Sequence, residues 1–202
     1  ELISFFKTDL AVEYIKEMEP DDAVDLLEEL FERDEEKAGE IINALPKKEA
    51  SDIRGLLSYE EDTAGAIMTT EYVSIPEELT VEAALKNIRK QSLPESEISF
   101  FIFITDNEKK LVGYITLRDL LVSDLKQKIK DIRNDYKIKL YANMDVTETV
   151  NIFRKYDLVV LPVVNAKEVL VGIITADDMV DVVVKEATED IYKLSGTSED
   201  AE

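Results

Sequence analysis

An internal repeat is the feature of this 202-residue chain that most constrains its fold. Residues 111–121 read LVGYITLRDLL and residues 170–180 read LVGIITADDMV, so that six of eleven positions are identical at an offset of 59. Residues 100–111 align with residues 159–170 at the same offset. β-Branched runs alternate with helical spacing, so each copy predicts strand, helix, strand, tight turn, strand and helix. We expect the copies to pack together, because one alone is too small to bury its sheet.

The first 60 residues and the last part of the chain show a helical pattern instead. Ala23, Leu27 and Leu30 fall on one face of a helix. Pro20 and Pro46 stand where helices are expected to begin, because proline suits the first helical turn. A further apolar stripe predicts one long helix over about residues 175–194.

Composition excludes several classes of function. The chain has no Cys and no His, which excludes disulfides, thiolate metal sites, a Ser-His-Asp triad and imidazole ligands. With 45 acidic against 24 basic side chains, its net charge of −21 argues against a nucleic-acid partner. Only six glycines are present, and neither a P-loop nor a dinucleotide-binding fingerprint occurs. We therefore do not expect the chain to be an enzyme. A Mg²⁺-dependent phosphohydrolase is kept as a third alternative function, after the two binding functions described below.

Carboxylates are concentrated in two regions. Residues 9–40 carry 14 carboxylates against three basic side chains, and residues 177–190 carry six against one. Within predicted helices, Asp21 shares a face with Asp25, and Asp178 shares a face with Asp181. Each residue alone fits a solvated acidic surface or, for Asp21, a helix N-terminus. Packing two such faces together would be unfavourable without a divalent cation, and oxygen-only donors favour Mg²⁺ or Ca²⁺ over zinc.

A G-h-x-T-x-x-D element occurs twice, over residues 113–119 and 172–178. Two copies with matching upstream strands resemble a tandem pair of CBS domains. An acidic helical segment precedes them, and DDMVDVVVKEATEDIYKLSG follows from residue 177, which resembles the cytosolic region of MgtE-family magnesium transporters. The resemblance implies an α+β multi-domain fold. Its predicted parts are an all-α N-terminal domain at 1–60, CBS domains at 61–126 and 127–184, and a connecting helix and tail at 185–202.

The resemblance also implies a function and a set of ligands. Cytosolic Mg²⁺ would draw the helical and CBS domains together, and the last helix would transmit closure to the pore of a membrane domain. The expected position is the cytoplasmic face of the membrane, with the CBS domains forming a homodimer. The implied metal ligands are Asp21, Asp25, Asp157, Asp178, Asp181, Glu186, Glu189 and Asp190.

CBS pairs often bind adenine nucleotides, so ATP is a second implied ligand. The candidate residues are Phe101, Thr116, Arg118 and Asp119. Asp119 would bind the ribose, Arg118 would offset phosphate charge, and Phe101 would stack on the base, although Phe101 fits a core strand position equally well. The alternative function is therefore an adenine-nucleotide energy sensor that regulates another partner.

Overall fold

The structure, a computed structural model, describes residues 7–91, 100–156 and 158–195, with the side chains at 185–187 and 189–195 left out. Four helices form the N-terminal part: α1 (Thr8–Glu17), α2 (Pro20–Arg33), α3 (Glu35–Ala44) and α4 (Lys47–Leu56). Pro20 is the first residue of α2 and Pro46 directly precedes α4, which confirms both predicted starts. Helix α3 is capped by Asp34, whose carboxylate accepts a hydrogen bond from the Lys37 amide at 3.0 Å.

The remaining chain folds as the two predicted copies. The first contains β1 (Val73–Pro76), α5 (Val81–Ile88), β2 (Phe101–Thr105), β3 (Leu111–Thr116) and α6 (Leu117–Val122). The second contains β4 (Leu140–Tyr141), α7 (Val146–Tyr156), β5 (Val160–Val164), β6 (Leu170–Thr175) and α8 (Ala176–Ser195). Helix α8 confirms the long helix that the sequence predicts, and the predicted α+β class is confirmed as well.

Each copy builds one three-stranded sheet. The first sheet has the order β1-β2-β3, and the second has the order β4-β5-β6. In both sheets the first pair of strands is parallel and the second pair is antiparallel. The registers correspond, because Ile75 lies opposite Ile104 in the first sheet and Leu140 lies opposite Val163 in the second. This correspondence defines equivalent positions in the two repeats.

The helical domain and the second repeat share one apolar core. Buried Leu27, Ile41 and Leu56 of the helices belong to the same cluster as Leu161 and Ile174 of the second sheet. The first repeat has a separate cluster of its own. The helical domain therefore packs on the second repeat rather than on the first, although the first repeat is nearer to it in sequence.

The segment between α4 and β1 runs along the second repeat. The Gly65 amide donates to the Ala142 carbonyl at 2.8 Å, and Thr69 exchanges backbone hydrogen bonds with Ile173 at 2.9 and 3.0 Å. A Cβ atom on Gly65 would lie 2.4 Å from the Tyr59 ring and 2.9 Å from the Ala142 oxygen, so this crossing requires glycine. Residues that the sequence assigns to the first repeat thus hydrogen-bond with the second, and the domain boundaries stay predictions.

Candidate metal centre

Two acidic helix N-termini meet where the helical domain contacts the second repeat. Asp21 lies in the first turn of α2, and Asp178 lies in the first turn of α8. Ala23 and Met179, which follow them closely in sequence, are buried in the same apolar cluster. The fold therefore brings the carboxylates of Asp21 in the helical domain and Asp178 in the second repeat close enough to interact electrostatically.

Asp178 is held in place by the threonine that precedes α8. Its Oδ2 atom accepts hydrogen bonds from the Thr175 amide at 3.0 Å and from the Thr175 hydroxyl at 2.5 Å. Burial raises the pKa of Asp178, while the two Thr175 hydrogen bonds act in the opposite direction. The Oδ1 atom of Asp178 makes no hydrogen bond within the described residues. One carboxylate oxygen is thus fixed in orientation and available to a further ligand.

Asp21 provides the opposing carboxylate. Its Oδ1 atom is buried and has no hydrogen-bond partner among the described residues. Burial, reinforced by the negative charge of Asp178, raises the pKa of Asp21 from 3.8 to about 7. A hydrogen bond from the Asp21 backbone amide acts in the opposite direction. Because one oxygen of this carboxylate is buried without a partner among the described residues, ionisation is costly, and either a proton or a cation would stabilise the packed arrangement.

Sequence reasoning missed two members of this acidic junction, Glu19 and Glu71. Burial is the main cause that raises the pKa of Glu19, and the charges of Asp178 and Glu71 follow. Glu19 directly precedes α2 and lies two residues before Asp21, so its position in the sequence could have predicted it as a member of this acidic junction. Glu71 belongs to the segment that crosses the second repeat, so only the tertiary structure brings it here.

The other predicted metal ligands have varied positions. Asp25 and Asp181 are exposed, each about one turn further along α2 and α8. Asp157 lies outside the described residues, as do the side chains of Glu186, Glu189 and Asp190. Of the predicted set, the structure therefore brings together Asp21 and Asp178.

The oxygen donors at the acidic junction suit Mg²⁺ better than Ca²⁺, which needs more oxygen ligands. In the described part of the chain, no group of three or more acidic side chains is arranged to hold one ion. Mg²⁺ commonly keeps several waters and takes one or two carboxylates, whereas Ca²⁺ takes six to eight oxygen ligands. Asp21 and Asp178 each offer one carboxylate oxygen that has no partner among the described residues, and two such oxygens match the coordination that Mg²⁺ prefers.

The predicted nucleotide residues also lie close to one another. Phe101 pairs with Thr116 across β2 and β3, and its ring lies 6.1 Å from the Tyr114 ring. The Thr116 hydroxyl oxygen accepts from the Asp119 amide at 3.1 Å and Asp119 Oδ2 accepts from the Thr116 amide at 3.2 Å, which forms a capping box at the start of α6; the Thr116 hydroxyl also donates to Asp119 Oδ2 at 2.6 Å. Arg118 is exposed beside them. Asp119 thus has a structural role that mirrors Asp178, with its other carboxylate oxygen open to a ligand.

Comparison with known proteins agrees with this architecture. The family model for the MgtE intracellular N domain matches residues 1–62, and the CBS domain model matches residues 64–126 and 129–185. The chain belongs to the MgtE family. The magnesium transporter MgtE of Thermus thermophilus is 37% identical over 174 residues, which cover 86% of this chain and 38% of that protein. The chain therefore spans less than half of this MgtE relative.

Two solved structures resemble the whole arrangement of the MgtE N domain and CBS pair. The soluble part of a magnesium transporter superposes with a TM-score of 0.80 at 37% identity, covering 92% of this chain and 71% of that one. The cytosolic domain of the Mg²⁺ channel MgtE in complex with ATP gives 0.77 at 31% identity, covering 90% and 77%. Within the described residues, no helix is both long and apolar enough to cross a membrane.

Proposed function

We propose that this chain is the Mg²⁺-sensing regulatory region of a magnesium transporter. The observation that carries the proposal is the convergence of Asp21 of the helical domain with Asp178 of the second repeat, together with an Asp21 oxygen that is buried and has no hydrogen-bond partner among the described residues. When Mg²⁺ is scarce, ionised carboxylates oppose the contact of the helical domain with the second repeat. When Mg²⁺ is abundant, the ion bridges them and stabilises the compact arrangement.

The energies involved suit a reversible contact between the helical domain and the second repeat rather than a permanent one. Two like charges at about 4 Å repel by roughly 4 kcal/mol at an effective dielectric constant of about 20. An ion that binds only the compact state adds about 2.7 kcal/mol when its concentration is 100 times its dissociation constant. Because these energies are comparable, changes in Mg²⁺ concentration can shift the population between separated and compact states.

The transporter's membrane part would receive the signal through α8. This helix begins at the acidic junction and extends to Ser195, so a change at its first turn alters the position of its far end. We place the chain at the cytoplasmic face of the membrane, joined to the pore-forming part of the full-length protein. In this role the chain binds ions and changes shape, and it catalyses no reaction.

Small-angle scattering across a Mg²⁺ titration at constant ionic strength tests the proposal. We expect the radius of gyration to fall as Mg²⁺ rises, and we expect Asp178→Asn to be compact already without Mg²⁺. Asp119→Asn is the matched control, because it changes the equivalent capping residue of the first repeat, whose helix α6 lies outside the core that the helical domain shares. A wild-type radius that does not respond to Mg²⁺ would refute the sensor.

ATP binding is a second candidate function, and two observations favour it. A structural neighbour was solved as an ATP complex, and here Phe101, Thr116, Arg118 and Asp119 lie together at one end of the first sheet. We propose that an adenine ring packs on Phe101 while Asp119 binds ribose hydroxyls. Calorimetry should detect ATP binding that Phe101→Ala weakens; unchanged binding in that variant would contradict the assignment.

We also propose a homodimer formed through α6 and α8. Leu121 and Leu125 are repeat-equivalent to Val180 and Val184, and all four side chains are more than half exposed. Apolar side chains exposed at equivalent positions, on α6 and in the turn after it in one repeat and on α8 in the other, fit a second copy placed by a two-fold axis. Sedimentation should show a dimer that Leu121→Glu converts to a monomer, whereas a wild-type monomer at high concentration would refute this interface.

A further inference from the structure

A cleft of about 420 Å³ opens beside the edge strand β1 of the first repeat. It lies near Thr105 at the end of β2, whereas Phe101 and the predicted nucleotide residues lie at the start of that strand. Its walls come from β1, from the turn between β2 and β3, and from the start of β6. The lining residues are Tyr72, Ser74, Pro76, Thr105, Asp106, Asn107, Lys109 and Leu170.

The second repeat shows what normally fills the equivalent position. From the strand registers, Lys139 corresponds to Ser74 and Tyr141 to Pro76. Glu168 corresponds to Lys109, and both adopt positive φ angles, of 66° and 62°, in their turns. In the second repeat Lys139 forms an ion pair with Glu168, and the Tyr141 hydroxyl donates to Glu168 Oε1 at 2.6 Å. A cation and an anion thus satisfy each other there.

In the first repeat the carboxylate on the cleft wall is Asp106 instead, and its Oδ1 atom accepts hydrogen bonds from the backbone amides of Glu108 and Lys110 rather than pairing with Lys109. The short side chain of Ser74 replaces the long one of Lys139, and the ammonium group of Lys109 has no carboxylate partner within the described residues. The side chains of Ser74 and Asn107 likewise make no hydrogen bond with the described protein. The neighbouring Lys110 is different, because its ammonium group pairs with Glu108 at 2.6 Å.

We propose that this cleft binds a small hydroxylated organic anion, with Lys109 facing its phosphate or carboxylate group. Ser74 and Asn107 then supply hydrogen bonds to hydroxyl groups, while Pro76 and Leu170 form apolar walls. The volume lies near the lower end of the range of about 300–1,000 Å³ for small-molecule sites, which favours a sugar phosphate or a hydroxy acid over a nucleoside triphosphate.

The cleft also lies where the two repeats meet, because Leu170 of the second repeat forms part of its wall. Tyr72 on the cleft wall donates a hydrogen bond to the Leu170 carbonyl at 3.2 Å. A bound anion therefore contacts both repeats, and it stabilises their arrangement independently of any metal at the acidic junction.

Amide chemical shifts of the ¹⁵N-labelled chain provide the test. Ribose 5-phosphate, glycerol 3-phosphate and malate are titrated separately to millimolar concentration, without divalent cations, and neutral ribose serves as the uncharged comparison. We expect at least one anion to shift the amides of Ser74, Asn107 and Lys109 together, and we expect ribose to bind about tenfold more weakly or not at all.

Matched variants decide which group binds the anion. Lys109→Gln should weaken binding about tenfold, whereas Lys110→Gln, which removes an adjacent but ion-paired charge, should leave it unchanged. Asn107→Leu, which keeps the shape of the side chain and its lack of charge but removes its hydrogen-bonding groups, should also weaken binding. The proposal is overturned if none of the three anions changes the amide chemical shifts, or if the shifts centre on Phe101 and Thr116 instead. It is also overturned if Lys109→Gln binds the anion as tightly as the wild type.

Discussion

Replacing Asp21 with asparagine should stabilise the packed chain in the absence of Mg²⁺. The substitution keeps the shape of the side chain and removes a buried charge that faces Asp178. In the wild-type chain the pKa of Asp21 rises from 3.8 to about 7. This rise corresponds to a loss of folding stability of about 4 kcal/mol at most when the side chain is ionised. Because the side chain is not fully buried, solvent screening reduces the expected gain to about 1–2 kcal/mol.

The sign of the pH dependence follows from the direction of this pKa shift. Asp21 holds its proton more tightly in the folded state than in the unfolded state. Below about pH 4 Asp21 is therefore protonated in both states and does not lower the free energy of unfolding. The wild-type chain loses stability as the pH rises from about 4 toward 7, and above 7 the loss is complete. Asp21→Asn should lose this component. At pH 8 without Mg²⁺ we expect its Tm to exceed the wild-type value by about 2–8 °C.

Thermal unfolding followed by circular dichroism at pH 5, 7 and 8, with and without Mg²⁺, measures both effects. Mg²⁺ should stabilise the wild-type chain more than Asp21→Asn, because the variant has lost one of the two bridging carboxylates. Glu29→Gln is the control, since it removes an exposed charge from the same helix. An Asp21→Asn chain that is less stable than the wild type at pH 8 without Mg²⁺, or that keeps the wild-type pH profile, would contradict a repulsive role for the Asp21 charge.

Three further substitutions test the packing. Gly65→Ala should lower the free energy of unfolding by about 1–3 kcal/mol, because its Cβ has no space, whereas Gly39→Ala on α3 meets no atom within 4 Å and should be neutral or stabilising in urea unfolding. Thr175→Val should cost about 1 kcal/mol and also weaken the scattering response to Mg²⁺, while Thr116→Val should cost the same and leave that response intact. Phe103→Ala should cost about 3–5 kcal/mol in the same unfolding assay, since its fully buried ring fills the space between the repeats; a loss below about 1 kcal/mol would contradict that placement.

Local patterns in the sequence predicted the elements of this fold correctly. The repeat around Gly113 and Gly172 predicted two equivalent sheets, and Pro20 predicted the start of α2. Helical and strand periodicities depend on neighbours a few residues apart, so one sequence suffices to detect them. The acidic faces with Asp21 and Asp178 were visible for the same reason.

Contacts between distant segments were decided by the tertiary structure. The helical domain packs on the second repeat because the segment around Gly65 hydrogen-bonds along that repeat, and no local pattern encodes this choice. The same crossing brings Glu71 near Glu19. Sequence alone determined which side chains share a helix face or a strand, since that follows from backbone geometry; which charges end up opposed, paired or alone depended on how buried apolar surfaces fitted together across the chain.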